Sequence, residues 1–376
     1  MRSCSRELVR GLVLAAAALC LLLPGCRREA KEPIKIGLAI NLSGRGGDAG
    51  EHIRNGALLA VEEINAAGGI QGRPLHLLVR DDENSDEGIR KADSSLIEEK
   101  VVAIIGHSFS ANTMKAYPLV TGRDTLLITA YTATTQLSGK DDLFFRTSID
   151  ANLYGVKTAA VLRAKGLTSV SVLMDMSNPD FVEDYLEQLG KYFSGALHNV
   201  QFGSRDNVDL ERPVADLLAP QPDAVLLLTE ATMTAVVAQK LRALGYGGPL
   251  VASIWAQSPE LLRIGGPAME GLMLVSFVDP DNQRPDYQRF ARDLQDKFQK
   301  AASARSDRAY EMVSILADAL KRCKTIDAGA LKKALLQGKY ESILGPLRFD
   351  EYGDVIRPVY EIVVREGKFA NAGEIR

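Results

Sequence analysis

Residue types able to do chemistry gather at a few places in this chain. Gly106-His107-Ser108-Phe109-Ser110 stands between a predicted strand and a predicted helix, where an exposed hydroxyl can serve as a nucleophile. That elbow needs a glycine in last place to make its sharp turn, and Ser110 occupies it. The order serine, acid, histidine then leaves only His198 as base, in a strand with no acidic neighbour, so the chain reads as a non-enzyme. Gly44-Arg45-Gly46-Gly47-Asp48-Ala49 has the spacing of a dinucleotide loop. Yet Asn41-Leu42-Ser43 separates it from its strand, and Asp81 lies well beyond the roughly 20 residues expected of a ribose-binding acid. No cofactor is expected. The segment from Ser108 to Thr113 supports a third chemistry: hydroxyls and unpaired N–H groups at a helix start cradle a carboxylate. A plain helix cap is the other reading of Ser110. His52, His76, His107 and His198 are scattered without metal-ligand spacing, so no metal is expected.

A formal charge of −3 without any Lys/Arg stripe speaks against nucleic acid as a partner. Arg2, Arg6 and Arg10 precede the apolar run from Gly11 to Leu23, of signal-peptide length and short for a membrane span. Leu23-Pro24-Gly25-Cys26 resembles the lipobox of bacterial lipoproteins, whose cysteine is lipidated and becomes the new N-terminus. The resemblance implies a signal peptide over 1–25, a lipidated linker over 26–33, and an exported protein held at the cell membrane by lipid alone, facing the periplasm or cell exterior. Cys4 and Cys20 would leave with the leader, so Cys323 has no partner and reads as a small buried apolar residue.

About 350 residues then remain, enough for two cores. Apolar strands alternate with helices: Ile34–Ile40, His52–Ala67, Leu75–Arg80, Asp86–Glu99, Val101–Ile105, a helix from Ala111, and Thr125–Thr129. The rhythm restarts with Ala151–Lys165, Ser169–Met174, Phe181–Phe193, Leu197–Phe202, Leu210–Leu218, Ala224–Thr229, Thr232–Leu244 and Leu250–Ala252. Continuous apolar strands separated by helices indicate an α/β fold with parallel sheets covered on both faces, here as two similar lobes. A strand over Gly271–Phe277, helices near Asp286–Ala302, Asp307–Arg322 and Asp327–Leu336, and strands Leu347–Phe349 and Val359–Arg365 follow.

The marks Leu42-Ser43-Gly44, Asn55-Gly56-Ala57, Ile64-Asn65 before Gly68-Gly69-Ile70, Asp81-Asp82, Ile105-Gly106-His107 and Leu137-Ser138 occur in that order. Gly271 and Leu344-Gly345-Pro346-Leu347 with Phe349-Asp350 and Gly353 complete the series. Together they resemble type I periplasmic solute-binding proteins of the leucine/isoleucine/valine-binding class. The resemblance implies two Rossmann-like lobes joined by a hinge that the chain crosses three times, near Thr147, Phe277 and Gly345. Lobe 1 would take 34–147 and 278–345, and lobe 2 would take 148–277 and 346–376. A ligand would lie in the cleft at the carboxyl ends of the strands.

By the same resemblance, the carboxylate-binding serine falls on Ser110. The family's threonine falls on Ala133, with Thr132 and Thr134 beside it. Tyr131 would form a cleft wall, and Phe181 the aromatic wall of the second lobe. The acid that pairs a ligand ammonium is replaced by Ile254 or Trp255. Either Glu230 takes that task or it is an ordinary helix-start charge. The expected function is capture of an amino acid, or a related small carboxylate or amide, for an ABC permease; a sensor serving a signalling partner is the alternative. Cys26→Ser should abolish palmitate labelling and release the protein from the membrane fraction; a labelled, membrane-bound variant would refute the lipobox.

Overall fold

The structure is a computed structural model that describes residues 31–44, 46–203 and 209–376; the leader, Cys26 and Arg45 lie outside the described residues. The first half builds β1 (Ile34–Ile40), α1 (Gly47–Ala66), β2 (Leu75–Asp81), α2 (Asp86–Glu98), β3 (Ala103–Gly106), α3 (Ser110–Thr121), β4 (Leu126–Thr129) and β5 (Phe144–Arg146). These strands form a sheet of order β2-β1-β3-β4-β5, parallel throughout. Ile36, Leu38, Ile40, Ile105 and Ile128 are fully buried, as unbroken apolar runs between two helical layers must be.

The second lobe follows with α4 (Ala151–Ala164), β6 (Ser169–Asp175), α5 (Pro179–Tyr192), β7 (Ala196–Phe202), α6 (Glu211–Leu218), β8 (Ala224–Leu228), α7 (Ala231–Ala243), β9 (Leu250–Ser253), α8 (Pro259–Gly265) and β10 (Met273–Ser276). The chain then returns to the first lobe through α9 (Pro285–Phe298), α10 (Ala304–Arg322) and α11 (Ala328–Gln337). A small antiparallel sheet, β11 (Lys339–Ser342), β12 (Gly345–Phe349) and β13 (Val355–Ile356), comes next. β14 (Tyr360–Arg365) and β15 (Lys368–Glu374) close the larger sheet, of order β15-β14-β10-β9-β8-β6-β7, in which those last two run antiparallel.

The mixed α/β architecture with parallel central sheets agrees with the expectation from the sequence. The lobes differ more than expected, because β14 and β15 extend the second sheet. β5, β11, β13 and α8 were not anticipated: stretches of two to seven residues are too short to display a period. The third passage between sheets runs through 357–359 rather than near Gly345. β12 and β13 stay beside β5, where Arg146 N donates to Gly353 O at 3.0 Å and Phe145 packs edge-on to Phe349 at 5.3 Å.

Helix α10 packs along α1, and a glycine sets their separation: a Cβ on Gly56 would lie 2.1 Å from the carbonyl oxygen of Ser306. Helix α10 also begins earlier than the expected Asp307. Ser303 caps it by accepting from Ser306 N, while Ser306 Oγ accepts from Ser303 N, a reciprocal pair that starts the helix at Ala304. Arg305 therefore falls in its first turn and Arg308 at the start of its second.

One buried side chain ties all three interlobe passages together. The Arg357 guanidinium donates to Thr147 O at 3.1 Å and lies 4.5 Å from the Phe277 ring centroid. It is held bidentately by Glu311 of α10, at 2.8 and 3.0 Å. Removing one partner of a buried pair strands the other charge. Glu311→Met should therefore destabilise the protein by about 3–5 kcal/mol in chemical unfolding; a loss below about 1 kcal/mol would contradict this role.

Candidate functional site

The carboxyl ends of β3, β4, β6, β8 and β9 face one another across a cavity of about 330 Å³ between the lobes. This is where an open parallel sheet presents its loops and helix starts. The lobes touch directly around it. Asn178 Oδ1 of the second lobe accepts from Ala111 N of α3 at 3.1 Å, and Asp184 accepts from Thr135 Oγ1 at 2.9 Å. Trp255 packs edge-on to Phe109 of the first lobe at 5.9 Å and to Phe181 of its own lobe at 5.8 Å.

Tyr131, Ala133, Phe181, Glu230 and Trp255 all line the cavity. Ser110 and Thr132 are fully buried behind its wall. Ser110 Oγ accepts from Ala133 N at 3.1 Å, and Thr132 Oγ1 shares a 2.5 Å hydrogen bond with Thr113 Oγ1. Both hydroxyls thus brace the loops that form the wall. Glu230 caps α7, its two carboxylate oxygens accepting from Thr232 N and Met233 N at 2.7 and 2.8 Å. Asp180, in the first turn of α5, accepts from Gln136 Nε2 across the lobes. Tyr154 adds an aromatic wall with its buried hydroxyl unpartnered among the described residues.

The strongest charges at the cavity are ones the sequence reading passed over, Arg305 and Arg308 of α10. Arg308 donates from Nε to Ala304 O and from Nη1 to Ala130 O at 2.9 Å, and lies 4.5 Å from the Tyr131 ring centroid. Arg305 donates from Nη2 to Trp255 O at 3.4 Å. Among the described residues no carboxylate forms an ion pair with either. Asp307, between them in sequence, turns away to Tyr287 Oη and Ser306 Oγ, both at 3.1 Å; burial lifts its carboxyl to about 7. Burial also pushes both guanidinium pKa values down, the mark of charge removed from water without full compensation. A signal existed: an arginine in a helix's first turn, as Arg305 is, opposes its dipole, an arrangement that helix stability alone does not favour.

Paired α/β lobes enclose an aromatic-walled chamber lined by two arginines and by Asp48, Glu230 and Glu260, the arrangement of a protein that captures a small molecule between its halves. A family model described as a periplasmic binding protein matches residues 33–368, and the chain belongs to that family. It is 25% identical over 356 residues to the leucine-, isoleucine-, valine-, threonine-, and alanine-binding protein of Pseudomonas aeruginosa, covering 87% of this chain and 88% of that one. The fold matches the leucine-binding protein LivK of Thermotoga maritima with a TM-score of 0.82, at 22% identity over 91% of this chain and 99% of that one. It also matches an R. palustris ABC-transporter solute-binding protein in complex with benzoate, with a TM-score of 0.81 at 18% identity over 91% and 96%.

Beneath the loop that precedes α3, His107 is fully buried between two carboxylates, Nδ1 at 2.6 Å from Asp82 and Nε2 at 3.2 Å from Asp93. Its carbonyl accepts from Thr129 Oγ1 at 3.2 Å, linking the β3 and β4 loops that flank the cavity. Burial acts to depress the imidazolium, but the hydrogen bonds to Asp82 and Asp93 outweigh it and raise its pKa from 6.5 to about 9. A histidine raised on folding lends stability that is complete below pH 6.5 and disappears as pH climbs through about 9. The thermal midpoint should fall between pH 7 and 9.5, and His107→Gln should be less stable at pH 7 with a shallower fall. An equally steep fall in the variant would remove His107 as its source.

Proposed function

We propose that this protein is the substrate-binding lipoprotein of an ABC importer, anchored through Cys26, and that it captures a small organic carboxylate with a flat apolar body. The observation that carries this reading is the pair of guanidiniums at the cavity with no carboxylate partner among the described residues. An anion supplies the missing charge, and charge-assisted hydrogen bonds from Arg305 and Arg308 would hold it. Tyr131, Tyr154, Phe181 and Trp255 would enclose its apolar part. An α-amino acid fits less well: Glu230 and Asp180 already serve backbone and side-chain donors, and Glu260, the other acid deep in the lining, faces His52 at 3.6 Å. A free ammonium would face two arginines. The benzoate complex of the R. palustris relative in fold supports an aromatic acid as the first candidate. The permease is the expected partner, meeting the closed lobes.

Trp255 is the chain's one tryptophan, so its fluorescence reports the cleft directly. Titration with benzoate, hydroxybenzoates and branched-chain amino acids should give saturable changes with aromatic acids, at low-micromolar Kd or tighter. Arg305→Met should weaken that binding by about 30-fold or more. Equal affinity in the variant, or a preference for free amino acids, would overturn the reading.

A further inference from the structure

At the rim of the cleft, three side chains able to ligate a metal come together from both lobes. Asp48 and His52 lie four residues apart on α1, which places them on one face of the helix. Glu260 reaches them from α8 of the second lobe. One ligand atom from each, His Nδ1 or Nε2 and a carboxylate oxygen from each acid, lies within 4.8 Å of the other two. We propose that Asp48, His52 and Glu260 form a site for a divalent transition metal, zinc or a like ion, that ties the two lobes together.

The state of His52 points to a ligand. Its side chain is only 4% exposed, and its Nε2 makes no hydrogen bond among the described residues, standing 3.6 Å from Glu260 Oε1. Glu260 Oε2 is likewise buried and unpartnered. Nδ1 faces Ser303 Oγ at 3.4 Å; an N–H donated there leaves the Nε2 lone pair directed at the two acids. Metal-ligating histidines are commonly fixed through the other ring nitrogen in this way.

One imidazole and two carboxylates make a three-ligand set that leaves a fourth position open. The imidazole favours zinc, cobalt or nickel over magnesium or calcium. Lys300 is the competing cation, 3.6 Å from Asp48 and 3.3 Å from Glu51, and it can remain on Glu51. Spacing along the sequence hid the site because its third donor comes from the other lobe. Asp48 and Glu260 also line the cavity, so the titration is made without any solute present.

Calorimetric titration of zinc chloride into the ligand-free mature protein tests it. The expected result is one saturable site, lost in His52→Ala and weakened about 10-fold or more in both Asp48→Asn and Glu260→Gln. Magnesium chloride at the same concentration should give no binding heat. Glu260→Gln keeps the side chain's shape and is partly exposed, so its folded state is checked simply by circular dichroism. Absence of saturable zinc binding, or binding that survives His52→Ala, would overturn the site. Zinc affinity unchanged by Glu260→Gln would overturn the tie between lobes.

Discussion

A guanidinium taken out of water needs something to hold its charge, and this protein buries Arg308 and partly buries Arg305 at its cleft, with no carboxylate ion-paired to either among the described residues. Arg308 has carbonyl oxygens and the Tyr131 ring around it, and Arg305 has the Trp255 carbonyl; these dipoles offset part of the desolvation and no more. Asp307 is committed to Tyr287 and Ser306 and Glu230 to the start of its own helix, while Glu260 stands beside His52. The proposed anion in the cavity would offset what remains.

Much of the surrounding structure serves to put those two charges there. Gly56 lets α10 lie close against α1, and the Ser303–Ser306 pair begins α10 early enough for Arg305 and Arg308 to reach the cleft. Glu311, further along the same helix, holds Arg357, which binds the first passage at Thr147 and stacks on the second at Phe277. The helix that presents charge to the cavity is thus anchored to the segments that connect the lobes.

The alternation of strands and helices was legible from the sequence because most buried parallel strands are continuously apolar and helices of ten or more residues separate many of them. β1 ends where the pattern predicts, and most other boundaries fall within a few residues. Short elements were not legible: β5 has three residues and α8 seven, below any period. Tyr131, Phe181 and Trp255 could be placed at the cleft because they follow strand ends in a recognisable order. Arg305 and Arg308 were missed because Asp307 looked like a better helix start than Ser303. The opposition of Arg305 to the helix dipole was the available clue. The Asp48, His52 and Glu260 cluster could not be read from spacing, since it exists only when the lobes meet.

The most direct test compares an acid with its neutral isostere. Calorimetry of benzoate and benzamide under identical conditions isolates the charge, since shape and apolar surface are nearly shared. The account predicts that the carboxylate binds about 100-fold tighter or more, as expected when the ligand meets buried cationic donors. Equal affinities, or tighter binding of the amide, would contradict it.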